Sequence, residues 1–205
     1  MSKEISLLLP LLEDYREEAG RHFGRLGTKE IVVVQSGIGK VNAALAANDI
    51  IDAFRPSLVI NTGVAGGVGV SKPLDVIIPQ AVAYHDVWCG PGTVWGQADN
   101  CPARFECLIP PAVEPSGLLA SGDIFISKTQ EVEHILRLYP DAVAVDMESA
   151  AIAQACYLKN VDFACIRVVS DTPGSADNIA QYESFWEAAP RATFAALTTF
   201  LSAIQ

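Results

Sequence analysis

The sequence predicts one α/β domain over residues 1–205, with a central mixed, largely parallel and twisted sheet flanked by helices. The chain of 205 residues is long enough to bury a sizeable core in one domain. Continuous apolar runs without strict alternation recur along it, as in strands that are covered on both faces. Helical segments separate several of these runs, which is the order expected of an α/β protein. The predicted strands are residues 5–9, 31–35, 58–62, 75–83, 118–126 and 163–170.

The helices are predicted from apolar spacing and from residues that end a helix. Apolar residues in Lys40–Phe54 recur at intervals of three and four, and Pro56 closes the segment. Near the end of the chain, Pro190 is expected to kink or break a long helix. The other predicted helices are Thr129–Leu138, Ser149–Leu158 and Tyr182–Ile204.

Composition excludes several classes of partner. The net charge of −10 argues against binding nucleic acid or anionic membranes. No apolar run approaches the ~20 residues of a membrane span, and the N-terminal apolar stretch lacks the basic lead and cleavage site of a signal peptide. The five cysteines form no CxxC pair, which favours a reducing, cytoplasmic location and argues against zinc and a disulfide framework.

The glycine-rich stretch NTGVAGGVG, residues 61–69, follows a predicted strand and is the first candidate site. A dinucleotide fold requires G-x-G-x-x-G at the start of a helix, and here Val70-Ser71-Lys72-Pro73 follows instead. The stretch SGIGK, residues 36–40, opens a helix but lacks the hydroxyl residue of a phosphate-binding loop. A tight turn therefore stays open as a reading of NTGVAGGVG.

Charged residues stand at the ends of two apolar strands. Asp146 and Glu148 bracket Met147 before an Ala-rich helix, where Glu148 either serves a ligand or interacts with the helix dipole. Arg167 lies inside an apolar strand and needs a partner. Asp171 ends that strand, where open α/β sheets bind ligands, although it also suits the turn Asp-Thr-Pro-Gly.

Two further features have both structural and functional readings. Phe125, in SGDIFIS, is either a core residue or a flat face for a base, and His85 carries no pattern of its own. Residues 88–115 hold five prolines and three cysteines, which predicts a long irregular loop of the kind that often serves function.

Taken in order, these motifs resemble the nucleoside phosphorylase/nucleosidase superfamily, and within it the 5′-methylthioadenosine/S-adenosylhomocysteine nucleosidases. The motifs are SGIGKVNAALA, VINTGVAGG, YHD, GQADNCPARF, SGDIFIS, AVDMESAAIA and RVVSD. The resemblance implies cleavage of an N-glycosidic bond in a small nucleoside through an oxocarbenium-like state. It also implies a homodimer that uses no metal or other cofactor.

The resemblance assigns a role to each motif residue. Asp171 resembles the acid that protonates the leaving purine, for which a raised pKa is needed. Glu148 resembles the carboxylate that holds the ribose hydroxyls, with Met147 packed beneath it, and Arg167 resembles the arginine that orders the acidic group of the water site. Phe125, Ile126 and Tyr182 match positions that contact adenine or the 5′ substituent, while Val64, Ala65, Gly66 and Ser170 complete the expected substrate site.

The nucleophile is expected to be water. Phosphate would need donors such as arginine, and the glycine stretch holds none. The base that activates water in the family follows the first strand, where this chain offers Glu13 and Asp14, and Glu13 is favoured by residue type.

Two departures from the family pattern keep other functions open. Valine stands at position 64 where the family commonly has serine, and aspartate stands at position 146 where it commonly has glutamate. The alternatives are a nucleosidase acting on a futalosine-type nucleoside, a phosphorylase of the same fold and a catalytically silent nucleoside-binding protein. A dinucleotide-dependent oxidoreductase would depend on the glycine stretch alone.

Overall fold

A computed structural model describes residues 8–111, 113–185 and 189–204. Within these residues, a short 3-10 turn at Leu9–Leu11 is followed by ten strands and five helices. The strands are β1 (Glu13–Glu18), β2 (Arg21–Leu26), β3 (Lys29–Val33), β4 (Leu58–Gly67), β5 (Val76–Ile77), β6 (Pro79–Tyr84), β7 (Phe105–Glu106), β8 (Ser116–Ser121), β9 (Ala142–Asp146) and β10 (Asp162–Asp171). The helices are α1 (Lys40–Phe54), α2 (Thr129–Leu138), α3 (Ser149–Lys159), α4 (Asn178–Phe185) and α5 (Ala189–Ala203).

The central sheet has the strand order β5-β10-β4-β9-β8-β6-β7. Its longer pairings, β10 with β4, β9 with β8 and β8 with β6, are parallel. The antiparallel pairings of β5, of β7 and between β4 and β9 each involve two residue pairs. The predicted α/β fold with a mixed, mostly parallel sheet and flanking helices is therefore confirmed.

Alternation along β10 explains how its two faces differ. Phe163 and Cys165 point towards the cluster that contains α1 and α3, whereas Ala164 and Ile166 pack with Leu197, Phe200 and Leu201 of α5. Side chains in a strand alternate between faces, so Arg167 shares the α3 side with Phe163 and Cys165. The charge of Arg167 is thereby directed at the N-terminus of α3.

The helices follow their sequence signals closely. Two of them, α1 and α2, have the predicted bounds, and α3 ends one residue later than predicted. A left-handed Arg55 ends α1 just before Pro56. The predicted terminal helix is two helices, and Pro190 is the second residue of α5, where the first turn tolerates proline. Residues 186–188 between these helices lie outside the described residues.

Several strand predictions were wrong in bounds or place. In the predicted strand 5–9, residues 5–7 lie outside the described part of the chain, and Leu9 begins the 3-10 turn. The predicted strand 75–83 is split at Ile78, and the predicted strand 118–126 ends at Ser121. Within the loop predicted for residues 88–115, β7 pairs with β6.

A second, antiparallel sheet is formed by β1, β2 and β3. Its first two strands were not predicted, because β1 is exposed and polar and shows no apolar run. Of the predicted strand 31–35, residues 31–33 form the end of β3 and residues 34–35 are not in a strand; β3 lies in this sheet, not in the central one.

Within the described part of the chain, no strand pairs with one edge of β4 over most of its length. Among the described residues, the stretch from Leu58 to Ala65 pairs with β10 alone, since β9 pairs only with Gly66 and Gly67. The free edge of β3 and this edge of β4 line one cavity of about 1260 Å³. The polar residues predicted from the sequence lie at the end of this cavity where β4 finishes.

No helix in the described part of the chain is both long and apolar enough to cross a membrane. All five cysteines are free.

Candidate active site

The ends of three neighbouring strands build the site. Val64, Ala65 and Gly66 come from β4, Asp146 from β9, and Asp171 from β10. The segment after β8 and the helix α4 close the space opposite them. Eleven of the residues predicted for the site line this one cavity: Val64, Ala65, Gly66, Phe125, Ile126, Met147, Glu148, Arg167, Ser170, Asp171 and Tyr182.

Asp171 is buried among neutral hydrogen-bond donors. Its side chain is only 2 % exposed. The Ser170 hydroxyl lies 2.5 Å from Oδ1, and the Asn178 amide donates to Oδ2. Burial raises the pKa of Asp171, and the hydrogen bonds from Ser170 and Asn178 oppose that rise without cancelling it. A raised pKa is the direction of shift that a carboxylic acid needs in order to act as a proton donor.

Glu148 lies between a buried carboxylate and the N-terminus of α1. Its Oε1 accepts a hydrogen bond of 2.9 Å from the backbone N–H of Gly39, which has a positive φ of 89°. Burial and then the charge of Asp146 raise the pKa of Glu148, while Arg167 lowers it. The SGIGK stretch thus supplies a backbone donor to a carboxylate, and glycine suits this position because of its backbone conformation.

A buried ion pair joins β9 to β10. Arg167 places Nη2 at 2.6 Å and Nε at 3.1 Å from Oδ2 of Asp146. The two side chains are 3 % and 2 % exposed. The opposite charge that Arg167 needs inside an apolar strand is therefore supplied by Asp146, and this pair lines the cavity beside Glu148.

Aromatic residues form one wall of the site. The rings of Phe125 and Tyr182 meet edge to face, with centroids 5.7 Å apart. Phe125 remains 46 % exposed, whereas Ile126 is buried. An exposed aromatic face in a cavity is a suitable surface for a planar base.

The structure does not bring the predicted base to the site. Glu13 and Asp14 lie on the exposed strand β1, and neither lines the cavity. Both carboxylates bind Arg25, with donor–acceptor distances of 3.2 Å and 2.9 Å. The chain after Leu12 enters the outer sheet of β1–β3, which is where Glu13 and Asp14 lie.

Four residues of the site were missed by sequence reasoning. Gly39 binds Glu148, and Asn178 binds Asp171. Ser149 and Asn61 are hydrogen-bonded to each other beside the ion pair. Gly39, Asn61 and Ser149 lie in the sequence motifs SGIGK, NTGVAGGVG and AVDMESAAIA, whereas Asn178 lies in none of the motifs. His85, which carried no pattern, is buried, and burial lowers its pKa.

The described residues contain no cluster of histidine, cysteine, aspartate and glutamate that is arranged to hold a metal ion.

The family model of the Phosphorylase superfamily matches residues 1–202, so the chain is a member of this superfamily. The chain belongs to the 5′-methylthioadenosine/S-adenosylhomocysteine nucleosidase family, as its sequence motifs predicted. It is 37 % identical to the nucleosidase of that name from Geobacillus thermodenitrificans, over 100 % of this chain and 94 % of the relative.

Solved structures of this family have the same fold. The nucleosidase from Neisseria meningitidis, in complex with methylthio-immucillin-A, superposes with a TM-score of 0.91 at 34 % identity, covering 100 % of this chain and 96 % of that one. The nucleosidase from Colwellia psychrerythraea, in complex with adenine, gives a TM-score of 0.89 at 34 % identity, covering 100 % and 92 %.

Removing the cation of the buried pair is expected to destabilise the protein. Replacing Arg167→Met leaves Asp146 without its counter-charge, which costs about 3–5 kcal/mol of unfolding free energy. Adding Asp146→Asn removes the orphaned charge and should recover part of that loss. Urea unfolding measures both variants.

The control is Arg104→Met, which breaks an exposed ion pair with Asp141 at 2.6 Å. An exposed pair contributes at most about 1 kcal/mol, so this variant should unfold nearly as the parent does. Equal losses for Arg104→Met and Arg167→Met would contradict the importance of the buried pair.

Proposed function

We propose that the protein hydrolyses the N-glycosidic bond of 5′-methylthioadenosine, S-adenosylhomocysteine or both, and releases adenine. The observation that carries this proposal is the pairing, in one cavity, of a buried acid with a raised pKa, Asp171, and a second carboxylate, Glu148. The Geobacillus relative is named for both substrates, and the Colwellia structure contains adenine.

In the proposed mechanism each side of the cavity has its own task. Asp171 donates a proton to the imidazole-ring nitrogen of adenine, so that the base leaves as a neutral molecule. Glu148 binds the ribose hydroxyls and stabilises the positive charge that develops on the sugar. Phe125 and Tyr182 contact the adenine and the 5′ substituent, Ile126 pairs with the base through its backbone, and Met147, Ala65 and Gly66 support the ribose.

Water is the nucleophile that this cavity favours. Arg167 on β10 is paired with Gly63 of the glycine stretch. Its guanidinium is bound to Asp146, so its charge is already neutralised. A phosphate ion would need a free cation or several donors at that place. The apolar Val64, in contact with Val168 and Phe185, provides none.

The base that activates water is proposed to be a carboxylate other than Glu13 or Asp14. Both of these are exposed and bound to Arg25. Leu8 lines the cavity, and the acid that precedes it in the sequence is Glu4, which lies outside the described residues. We therefore propose Glu4 as the candidate for the base that activates water.

Base release from several nucleosides tests the reaction. We expect adenine to be released from methylthioadenosine or adenosylhomocysteine at a rate independent of phosphate, with futalosine a poor substrate. Asp171→Asn should lower kcat by at least about 100-fold, because the amide cannot donate the required proton. Glu13→Gln and Asp14→Asn should keep nearly the parental rate, whereas Glu4→Gln should not.

Phosphate-dependent turnover would instead indicate a phosphorylase. Release of the base from futalosine alone would mean that the substrate is a futalosine-type nucleoside. No release of a base from any nucleoside would indicate a binding protein. Circular dichroism of each variant establishes whether a variant with a lower rate is still folded.

The hydrogen bond from Asn178 gives the proposed acid a testable pH dependence. This donor stabilises the ionised form of Asp171, so removing it in Asn178→Ala should raise the pKa of Asp171 further. The reaction needs the protonated form, and its rate falls as pH rises through that pKa. The alkaline fall in kcat/KM should therefore move to higher pH in the variant.

Profiles of kcat/KM from about pH 5 to about pH 10 make this measurement. Gln181→Ala is the matched control, because this amide lies on the same helix but accepts from the N–H of Thr172 and does not touch Asp171. An unchanged limb, or one displaced towards lower pH, would remove Asp171 from the acid role.

We also propose that two copies of the chain associate. Five large apolar side chains, just before or within α1 and on the loop after β6, are each more than half exposed: Ile38, Val41, Leu45, Trp88 and Val94. The ion pair between Lys40 and Asp86 at 2.8 Å ties the segment around α1 to the loop that carries Trp88. An apolar surface of this kind is typical of a subunit interface.

A charge placed in this apolar surface should separate the subunits. Val41→Asp puts a carboxylate in its centre, and we expect the molar mass measured by light scattering to fall from that of a dimer to that of a monomer. Val70→Asp, at a residue that is 84 % exposed on the loop after β4, should leave the mass unchanged. A monomeric parent protein would contradict the proposed association.

A further inference from the structure

Ser149 lies at the centre of the buried polar cluster around the ion pair. Its side chain is fully buried, at the first residue of α3. The Ser149 hydroxyl contacts Oδ2 of Asp146, the oxygen that also accepts both hydrogen bonds from Arg167. Nothing in the family resemblance assigned this serine a role.

The hydrogen-bond partners of this hydroxyl fix the direction of its proton. Arg167 Nη2 and Asn61 Nδ2 both donate to Ser149 Oγ, at 3.1 Å and 3.0 Å. A hydroxyl has two acceptor lone pairs and one proton, so these two donors occupy its acceptor sites. The hydroxyl proton is then directed to the strong acceptor in contact, Asp146 Oδ2, in preference to the weakly accepting Cys165 sulfur at 3.4 Å.

Both oxygens of Asp146 are consequently held by donors. Oδ2 accepts from Arg167 and from Ser149, and Oδ1 accepts from the backbone N–H groups of Ser149 and Glu148 at 3.2 Å and 3.4 Å. These N–H groups belong to the start of α3, where a helix favours a negative charge. The carboxylate of Asp146 is thereby fixed in position two residues before Glu148.

We propose that Ser149 is a positioning residue, which together with Asp146 forms one unit that holds the Asp146–Arg167 pair in place and sets the electric field at Glu148. This inference rests on the proposed function only for its kinetic consequence. The hydroxyl dipole offsets part of the charge of Asp146. The charged groups that act on Glu148 are Asp146 and Arg167. The backbone N–H of Gly39 also donates a hydrogen bond to Glu148.

The steric contact between Ser149 and Asp146 can be tested by substituting both residues. Because Ser149 Oγ is in direct contact with Asp146 Oδ2 and is fully buried, a longer carboxylate at position 146 has no room while the hydroxyl is present. Removing the hydroxyl frees about the volume that one extra methylene needs. Asp146→Glu and Ser149→Ala should therefore each be harmful alone and compensate each other when combined.

The experiment is a double-mutant cycle on kcat and KM for the nucleoside that the parent protein cleaves. We expect Ser149→Ala and Asp146→Glu each to lower kcat by about 10-fold or more, with a smaller change in KM, and the double variant to return to within about 3-fold of the parent. Losses that multiply in the double variant, or a parental kcat in Ser149→Ala, would overturn the proposal.

A matched control distinguishes this role from mere burial of a serine. Ser121 is also fully buried, on the strand that pairs with β9, and its hydroxyl has no hydrogen-bond partner within the described ranges. Ser121→Ala should leave kcat at the parental value. A loss there equal to that of Ser149→Ala would mean that any buried serine of this region has the same effect.

A second readout needs no turnover and so separates this inference from the proposed function. Carbon-13 NMR of labelled glutamate follows the titration of Glu148 in the same four proteins. Ser149→Ala should raise the pKa of Glu148, because the charge of Asp146 loses a donor, and the double variant should bring it back. An unmoved titration overturns the positioning role even in an active enzyme, whereas an inactive parent with the expected shifts overturns only the proposed reaction.

Discussion

The buried ion pair between Asp146 and Arg167 is the interaction on which the rest of the site depends. Arg167 lies in the middle of β10, with apolar residues on both sides along the strand, and its charge is tolerable there only with a partner. Asp146 provides that partner from the end of β9 and also accepts hydrogen bonds from the start of α3. One carboxylate thus connects two strands and a helix.

The two sides of the cavity differ in what surrounds their carboxylates. Asp146 faces the guanidinium of Arg167 and the backbone N–H groups at the start of α3. Among the described residues, Asp171 accepts hydrogen bonds from the neutral donors Ser170 and Asn178, and burial raises its pKa. Such a division of environments lets carboxylates of one cavity perform different tasks, one as an acid and another as fixed negative charge.

The glycine-rich end of β4 permits this crowding. A Cβ atom at Gly66 would lie 2.6 Å from Pro173 Cγ, and one at Gly67 would lie 2.7 Å from a methyl carbon of Val169. Side chains here would push β4 away from Val169 of β10 and from Pro173, which follows that strand. The stretch NTGVAGGVG is therefore not a simple turn, because most of it is a strand that lies close to its neighbours.

Much of this architecture could be predicted from local patterns. The bounds of α1 and α2 were predicted correctly because apolar spacing and stop residues are properties of the segment itself. The outer sheet of β1–β3 could not be predicted in the same way, since its polar, exposed first strand has no pattern that separates it from a loop. The predicted strand at 31–35 was real, but its sheet was decided by long-range pairing.

The sequence by itself determined the family and several candidate site residues. Each of these residues lies in a short motif, and a short motif is a property of neighbours in the chain. Asp171, Glu148 and Phe125 belong to this group. Only the tertiary structure decided that Glu13 and Asp14 face solvent, and that Asn178 and Gly39 reach the two carboxylates. Gly39 and Glu148 are 109 positions apart, and a contact of that kind is created by packing, which no local pattern of residues records.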